Sequence, residues 1–259
     1  MKPGATPMEA MIRYCHKNFL CNLEKPLDIG LPLEEGYSGV NCFYAPPMEA
    51  EPVVAGDFIG STARGGVVNF LNIRFNPHGN GTHTECVGHI AKEKYTINRC
   101  LRQFIFPARL VSLYPVRMEN GDRVVSLQQI KAVLEGDVPP ALVIRTLPND
   151  GFKQRMHYSG TNPPYIDSEA VALLVEAGVE HLLIDLPSVD REEDGGRLLA
   201  HKAFWRFPDK IRENCTITEL IYVNNSIPDG LYLLNIQIAG FEVDASPSKP
   251  VLYALTPAD

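Results

Sequence analysis

The sequence lacks a long apolar run. None approaches the roughly 18 residues that a membrane-spanning helix needs, and the apolar segments 171–175 and 231–234 have the length of buried core elements. The first five residues, Met1 to Ala5, contain no basic region followed by an apolar stretch, so we expect no secretory signal. These two absences argue against a membrane as the partner.

Cysteine is also sparse and unpatterned. The six cysteines form no Cys-x-x-Cys pair and no dense framework, so a structural zinc cluster of thiolates is not expected. In a chain of this length they are typical of reduced thiols, which predicts a cytoplasmic protein. The cysteines are Cys15, Cys21, Cys42, Cys86, Cys100 and Cys215.

An excess of positive charge is missing as well. Lys and Arg total 24 against 31 Asp and Glu, which gives a formal net charge of −7, and no basic cluster stands out. This balance argues against nucleic acid or an anionic membrane as the main partner. With 45% hydrophobic residues among 259, the chain has enough apolar material for a sizeable core.

The order of elements predicts one mixed α/β domain. A short apolar segment at 141–145 predicts a strand, 167–177 predicts a helix that ends at Gly178, and 181–186 predicts another buried strand. Strand, helix and strand in this order form a βαβ-type unit. Further strands are expected at 27–31, 67–75, 109–113, 230–238 and 251–255, and a helix at 126–135.

Three of the seven histidines crowd into twelve residues, from His78 to His89. In an extended strand, His83 and Glu85 lie on one face about 7 Å apart, so an imidazole and a carboxylate can converge on one cation. A straight strand would carry His89 roughly 20 Å from His83, but Gly88 can supply a bend. Imidazole with carboxylate suits zinc, manganese or iron at a catalytic site. The alternative is a polar turn in which the histidines have no function.

A second cluster lies far away in the sequence, with Asp185 and Asp190 followed by His201 and Glu213. An unbroken helix would separate His201 from Glu213 by about 18 Å, too far to share a metal. Pro208 makes such a helix unfavourable, so the chain can fold back and bring both side chains to one point. The two aspartates could orient His201, or could simply cap turns.

Together the two clusters resemble the cyclase family, which includes bacterial kynurenine formamidases and isatin hydrolase. The hallmark of that family is His-x-Gly-Thr-His-x-Asp-x-Pro-x-His. The matching run here is Gly81-Thr82-His83, then Glu85 in place of Asp, Val87 in place of Pro, and His89. The resemblance covers most of the chain from about residue 26. It continues through 166–170, 178–179, 184–185, 188–190, His201, 213–214, and the tail segments 230–239 and 246–248.

The resemblance implies a metal-dependent hydrolase that opens small amides or lactams. It implies a mixed α/β fold of the swivelling β/β/α type, with a central mixed sheet or barrel-like core and flanking helices, and usually a homo-oligomer. Residues 26–259 would form this domain, and residues 1–25 an N-terminal extension. The cofactor would be one or two zinc or manganese ions. Carried over by position, the metal ligands would be His83, Glu85, His201 and Glu213, and His89 would be the acid/base.

The sequence departs from the family pattern at its first histidine. That residue would fall at position 79, which is Gly79, and His78 lies one place early. On a regular strand His78 would point away from the metal, so we predict a β-bulge at Gly79 that turns His78 back as a ligand. Asn80 is an alternative, neutral ligand. Because the first histidine is displaced, two other functions stay open. The protein could bind a metal or ligand without turnover, or it could be a cyclase or dehydratase that uses the same site.

Overall fold

Five of the apolar segments predicted as strands lie side by side at the centre of one eleven-stranded sheet: 109–113, 141–145, 181–186, 230–238 and 251–255. The computed structural model describes residues 7–258. In these residues the strands are β1 (Glu9–Tyr14), β2 (Lys17–Asn22), β3 (Leu27–Asp28), β4 (Glu49–Pro52), β5 (Val54–Ala55), β6 (Phe58–Ile59), β7 (Leu71–Arg74), β8 (His83–Glu85), β9 (Ile105–Leu113), β10 (Val116–Arg117), β11 (Arg123–Val125), β12 (Ala141–Thr146), β13 (Tyr165–Ile166), β14 (His181–Ile184), β15 (Thr216–Glu219), β16 (Gly230–Asn235), β17 (Ala245–Pro247) and β18 (Val251–Ala258).

Five α-helices occur among the same residues. The helices α3 and α4 begin where the sequence predicts them, because Ser126 and Asp167 accept hydrogen bonds from backbone amides of the first turn. The helices are α1 (Pro77–Asn80), α2 (Ile97–Cys100), α3 (Leu127–Val133), α4 (Ser168–Glu176) and α5 (Leu199–Trp205), with short 3₁₀ turns at Thr62–Arg64, Val87–His89 and Gly151–Arg155. No helix among residues 7–258 is long and apolar enough to cross a membrane.

The sheet is mixed, in the order β1-β2-β18-β16-β9-β12-β14-β15-β8-β17, with β3 beside β18. The strands β9, β12, β14 and β15 are parallel, and β8 pairs with β15 in the antiparallel direction. The carboxyl end of β15 therefore meets the amino end of β8. The predicted single mixed α/β domain with a central mixed sheet is confirmed, and the sheet is open rather than closed into a barrel.

Two apolar cores lie on the two faces of this sheet. On one face, residues of β12, β14 and β15 pack against α3, α4 and α5, with Phe204 and Trp205 fully buried. On the other face, alternate residues of β9, β12, β14 and β16 pack against α2. Because successive side chains of a strand point to opposite faces, burial on both faces requires the near-continuous apolar sequence that 141–144 and 182–184 show.

The N-terminal hairpin of β1 and β2 is part of the main sheet, since β2 pairs with β18. The division at residue 26 stays a prediction.

The strand expected over 67–75 differs most from the structure. Only Leu71–Arg74 is a strand, and all four of its residues are exposed. It pairs with β4, and β5 pairs with β6, to form a separate arm over residues 49–74. The apolar side chains of this segment are therefore not part of the core of the described residues. The exposed apolar side chains are Val54, Phe58, Val67, Val68, Phe70, Leu71 and Ile73.

Candidate metal centre

The centre is built first on β8, which is buried along its whole length. His83 lies opposite Glu219 of β15, and Glu85 lies opposite Ile217, so all four side chains share one face of the sheet. The start of β8 is fixed by Thr82, whose hydroxyl donates to Leu220 O and accepts from the backbone amide of Leu31. Extended backbone thus places His83 and Glu85 on one face, as the spacing predicts.

His201 reaches the same point from the first turn of α5. Asp190 accepts hydrogen bonds from the backbone amides of Ala200 and His201 and, at 2.6 Å, contacts His201 Nδ1. His201 Nε2 then lies 3.1 Å from Glu85 Oε1 and 3.9 Å from Glu219 Oε1. Asp190 therefore both starts the helix and orients the imidazole. Asp185 does not contact His201, because it bonds to Thr146 and Lys153 instead.

His78 also faces the centre, but the predicted bulge is wrong. Residues 77–80 form one helical turn, with Pro77 at its first position and Asn76 accepting from the backbone amide of His78. The turn places His78 Nδ1 3.2 Å from Glu85 Oε2. Gly79 is needed for space rather than for a left-handed conformation, since a Cβ there would lie 2.3 Å from the Cβ of Ala45.

His89 returns to the cluster through the 3₁₀ turn Val87–His89. The bend expected at Gly88 is present, and glycine is required because a Cβ would lie 2.3 Å from Tyr95 O. His89 Nδ1 lies 3.7 Å from Glu85 Oε2 and 3.4 Å from Asp244 Oδ2. With 30% of its side chain exposed, His89 is the most accessible of the clustered histidines.

Glu213 is not brought into the cluster. It is exposed, precedes β15 and lines a cavity of about 570 Å³ with Arg102 and Arg212. Glu219, six residues later at the carboxyl end of β15, occupies the place expected of Glu213, with Oε2 3.5 Å from His83 Nε2. Since each strand residue advances about 3.3 Å, the two carboxylates lie near opposite ends of the strand. The sequence carried no signal for Glu219, because β15 reads Thr-Ile-Thr-Glu and only its register with β8 brings this carboxylate to His83.

Asp244 is a second residue that the sequence pattern did not single out. Its Oδ2 lies 2.9 Å from His78 Nε2, on the other side of that imidazole from Glu85. It immediately precedes β17, which pairs with β8 through Ala245 and Glu85. An acidic residue among Phe241 to Ala245 carried no recognisable motif, so only the strand register reveals it.

The charges of the cluster depend on one another. Burial alone would raise the pKa of Glu85, but His89, His201 and His78 lower it well below its ordinary value. Burial would lower the pKa of His201, but its contacts with Asp190 and Glu85 raise it to about 10. In the same way, Asp244 and Glu85 overcome burial and raise the pKa of His78 to about 10. Without a cation, protons on these imidazoles balance the buried carboxylate.

The residues fit a divalent metal ion. Among the described residues, the buried His83 Nε2 and Glu85 Oε2 have no hydrogen-bond partner, although both face the centre. Buried polar atoms are normally satisfied, so this pair points to a missing ligand. Two sets of nitrogen and oxygen donors around Glu85 are close enough to hold an ion: His78 with His83, and His89 with His201. Such donors suit zinc, manganese and iron.

The nearby thiol does not join this chemistry. Cys86 follows Glu85 but is fully buried on the opposite face of the strand, in the core with Cys100. Its contact with Cys100 and its burial raise the pKa of the thiol above the ordinary value, which disfavours the nucleophilic thiolate.

The family comparison agrees with this geometry. The model of the cyclase family matches residues 27–191, more than half of the chain, and this span carries the segments that hold His78, His83, Glu85 and His89. The chain belongs to the cyclase family.

Relatives of this cyclase-family chain are named as hydrolases. A kynurenine formamidase from Bacillus cytotoxicus is 27% identical over 192 residues, which cover 73% of this chain and 82% of the relative. Two solved structures share the fold. A predicted metal-dependent hydrolase from Bacillus stearothermophilus has a TM-score of 0.61 at 16% identity, covering 88% of this chain and 98% of its own. Isatin hydrolase A from Labrenzia aggregata, bound to benzyl benzoate, has a TM-score of 0.64 at 14% identity, covering 89% and 93%.

Proposed function

We propose that this protein is a metal-dependent hydrolase that cleaves a carbon–nitrogen bond of a small amide or lactam. The observation that carries the proposal is the convergence of His78, His83, Glu85, His201 and Glu219, which come from two distant parts of the chain. Relatives named kynurenine formamidase and isatin hydrolase support this reaction class and a small aromatic substrate such as an N-formyl arylamine or isatin.

The cofactor we propose is one or two zinc or manganese ions. His78 and His83 would hold one position together with Glu85. His201 would hold the other beside Glu85, with Glu219 Oε1 3.9 Å from its Nε2 as a further ligand. A bound metal of this type lowers the pKa of bound water towards roughly 7 and polarises a carbonyl oxygen. The buried carboxylates of Glu85 and Glu219 supply the negative charge that retains a divalent cation.

His89 is the proposed acid/base. Its Nδ1 faces Asp244 Oδ2 at 3.4 Å, so a proton on Nδ1 leaves Nε2 as the acceptor. From there Nε2 can take a proton from water and return it to the leaving nitrogen. Partial exposure lets a substrate approach His89, whereas His83 and His201 are buried and suited to hold a cation.

Hydrolysis of a formanilide and isatin panel tests the proposal. With added zinc or manganese we expect turnover by the wild type, its loss in His89→Ala with metal content retained, and wild-type rates in His157→Ala. His157 is exposed, and its side chain contacts the Tyr37 backbone oxygen and ring rather than the centre, so it is the matched control. Stoichiometric metal without turnover on any substrate would contradict a hydrolase and favour a metal-binding relative.

We further propose a homo-oligomer, supported by the apolar arm over residues 49–74. Two-stranded ribbons are marginal alone in water, and seven large apolar side chains of this arm are exposed. A second copy of the chain would cover them. Light scattering of the wild type and of a Phe70→Asp, Ile73→Asp variant tests this, with a smaller particle expected for the variant.

We propose a cytoplasmic location because all six cysteines, which lie within the described residues, are free thiols and five are buried.

A further inference from the structure

Asp244 lies at the rim of the metal centre and is held there by the backbone. Its carbonyl oxygen accepts the backbone amide of Cys86 at 3.0 Å, and the next residue, Ala245, pairs with Glu85. The carboxylate is therefore fixed relative to β8. Its Oδ2 contacts His78 Nε2 at 2.9 Å and His89 Nδ1 at 3.4 Å.

Three of the four clustered imidazoles, those of His78, His83 and His201, share one arrangement. Each turns one ring nitrogen towards the buried carboxylates and has the other engaged by an oxygen. The oxygen is Gly81 O for His83 at 3.1 Å, and Asp190 Oδ2 for His201 at 2.6 Å. For His78 it is Asp244 Oδ2, while Nδ1 faces Glu85. Such outer contacts fix the tautomer and the orientation of ligating histidines.

We propose that Asp244 is a positioning residue that holds His78 as a metal ligand. The inference rests on the proposed metal site. His78 needs such support because it lies on a four-residue helix, one position from the place the family pattern expects, with 22% of its side chain exposed. Because Asp244 accepts the proton of Nε2, Nδ1 is the atom that loses its proton when metal binds, and it is already aimed at the centre. The contact with His89 lets the same carboxylate align the acid/base with that ligand.

Asp244 could instead contact a metal ion directly, and this arrangement differs from one in which it only orients His78. The two nitrogens of an imidazole point in different directions, and Asp244 contacts Nε2 whereas Glu85 contacts Nδ1. An ion held by His78 Nδ1, His83 and Glu85 therefore lies on the far side of the ring from Asp244. Ligand atoms of His78, His89 and Asp244 are also close enough to hold an ion of their own, so the metal stoichiometry is what separates that arrangement from the positioning role.

The experiment compares Asp244→Ala, Asp244→Asn and Glu242→Ala with the wild type. Glu242→Ala is the matched control, because it removes a carboxylate two residues away that contacts Thr96, Asn98 and Arg99 instead of the centre. Metal-free proteins, checked for folding by circular dichroism, are titrated with zinc and manganese against a chromophoric chelator. The visible spectrum of the cobalt-loaded proteins reports ligand geometry.

We expect Asp244→Ala to weaken metal binding on the order of 10- to 100-fold and to change the cobalt spectrum. Asp244→Asn, whose amide oxygen still accepts a hydrogen bond, should recover part of the affinity, and Glu242→Ala should match the wild type.

Wild-type affinity and spectrum in Asp244→Ala would overturn the inference while leaving the proposed function intact. Loss of one full equivalent at saturating metal in both Asp244 variants would make it a ligand and overturn a positioning role. A wild type that binds no metal would overturn the proposed function itself.

Discussion

Replacing Glu219 by Gln tests whether the carboxyl end of β15 contributes a metal ligand. In the protein, Glu219 Oε1 accepts the backbone amide of Val189 at 2.9 Å, and Oε2 lies 3.5 Å from His83 Nε2. The amide oxygen of Gln can keep the bond to Val189, so the change removes one anionic ligand without removing the local hydrogen bond. Metal binding is thus perturbed with little change in packing.

The expected loss can be given a magnitude. Substitutions of residues that only contact a metal ligand cost about 10- to 100-fold in metal affinity, so loss of a carboxylate ligand should cost at least about 100-fold. At about 1.4 kcal/mol for each factor of ten, this is about 2.8 kcal/mol of binding free energy. Glu213→Gln removes the same charge from an exposed position and should leave the affinity unchanged.

Chelator-competition titration measures both affinities, and urea unfolding of the metal-free proteins checks the fold. Because a buried carboxylate is costly to desolvate, metal-free Glu219→Gln should unfold at no lower urea concentration than the metal-free wild type. Unchanged affinity in Glu219→Gln, or a larger loss in Glu213→Gln, would refute the assignment of Glu219.

Two further predictions concern the turn that carries His78 and the protons of the cluster. Gly79→Ala should lower the free energy of unfolding by about 1–3 kcal/mol because its Cβ meets Ala45, whereas Gly151→Ala, with 3.7 Å to the nearest atom, should be neutral in thermal unfolding. An equal midpoint for both variants would contradict the close packing at Gly79. Since the pKa values of His78 and His201 are raised to about 10 in the metal-free protein, both imidazoles carry protons below that pH and must lose them to bind metal. Metal affinity should therefore rise from pH 7 to pH 9, with at least one proton released in calorimetry in two buffers; no release would contradict the ligand assignment.

The local geometry of the site could be predicted from the sequence where secondary structure alone decides it. His83 and Glu85 share a face because extended backbone has a period of two residues, and α4 begins directly after Asp167 because that side chain caps the helix. The bend before His89 also followed from Gly88, which the structure places against Tyr95 O.

Other features of the site depend on contacts between distant residues. Glu219 faces His83 only because of the register between β15 and β8, and Asp244 meets His78 across 166 positions of sequence. His78 was expected on a bulged strand, but Pro77 and Asn76 start a helical turn instead. The apolar alternation of 71–74 predicts a buried face, but within residues 7–258 no segment covers it.

Anomalous diffraction from crystals grown with zinc or manganese tests most directly whether the segments 78–89 and 201–219 together bind a divalent ion. We expect a peak at about 2.0–2.2 Å from Glu85 and from at least two of the imidazoles of His78, His83 and His201. Crystals grown in saturating metal that show no anomalous peak within coordination distance of Glu85 would contradict the account. A peak found only elsewhere on the chain would contradict it as well.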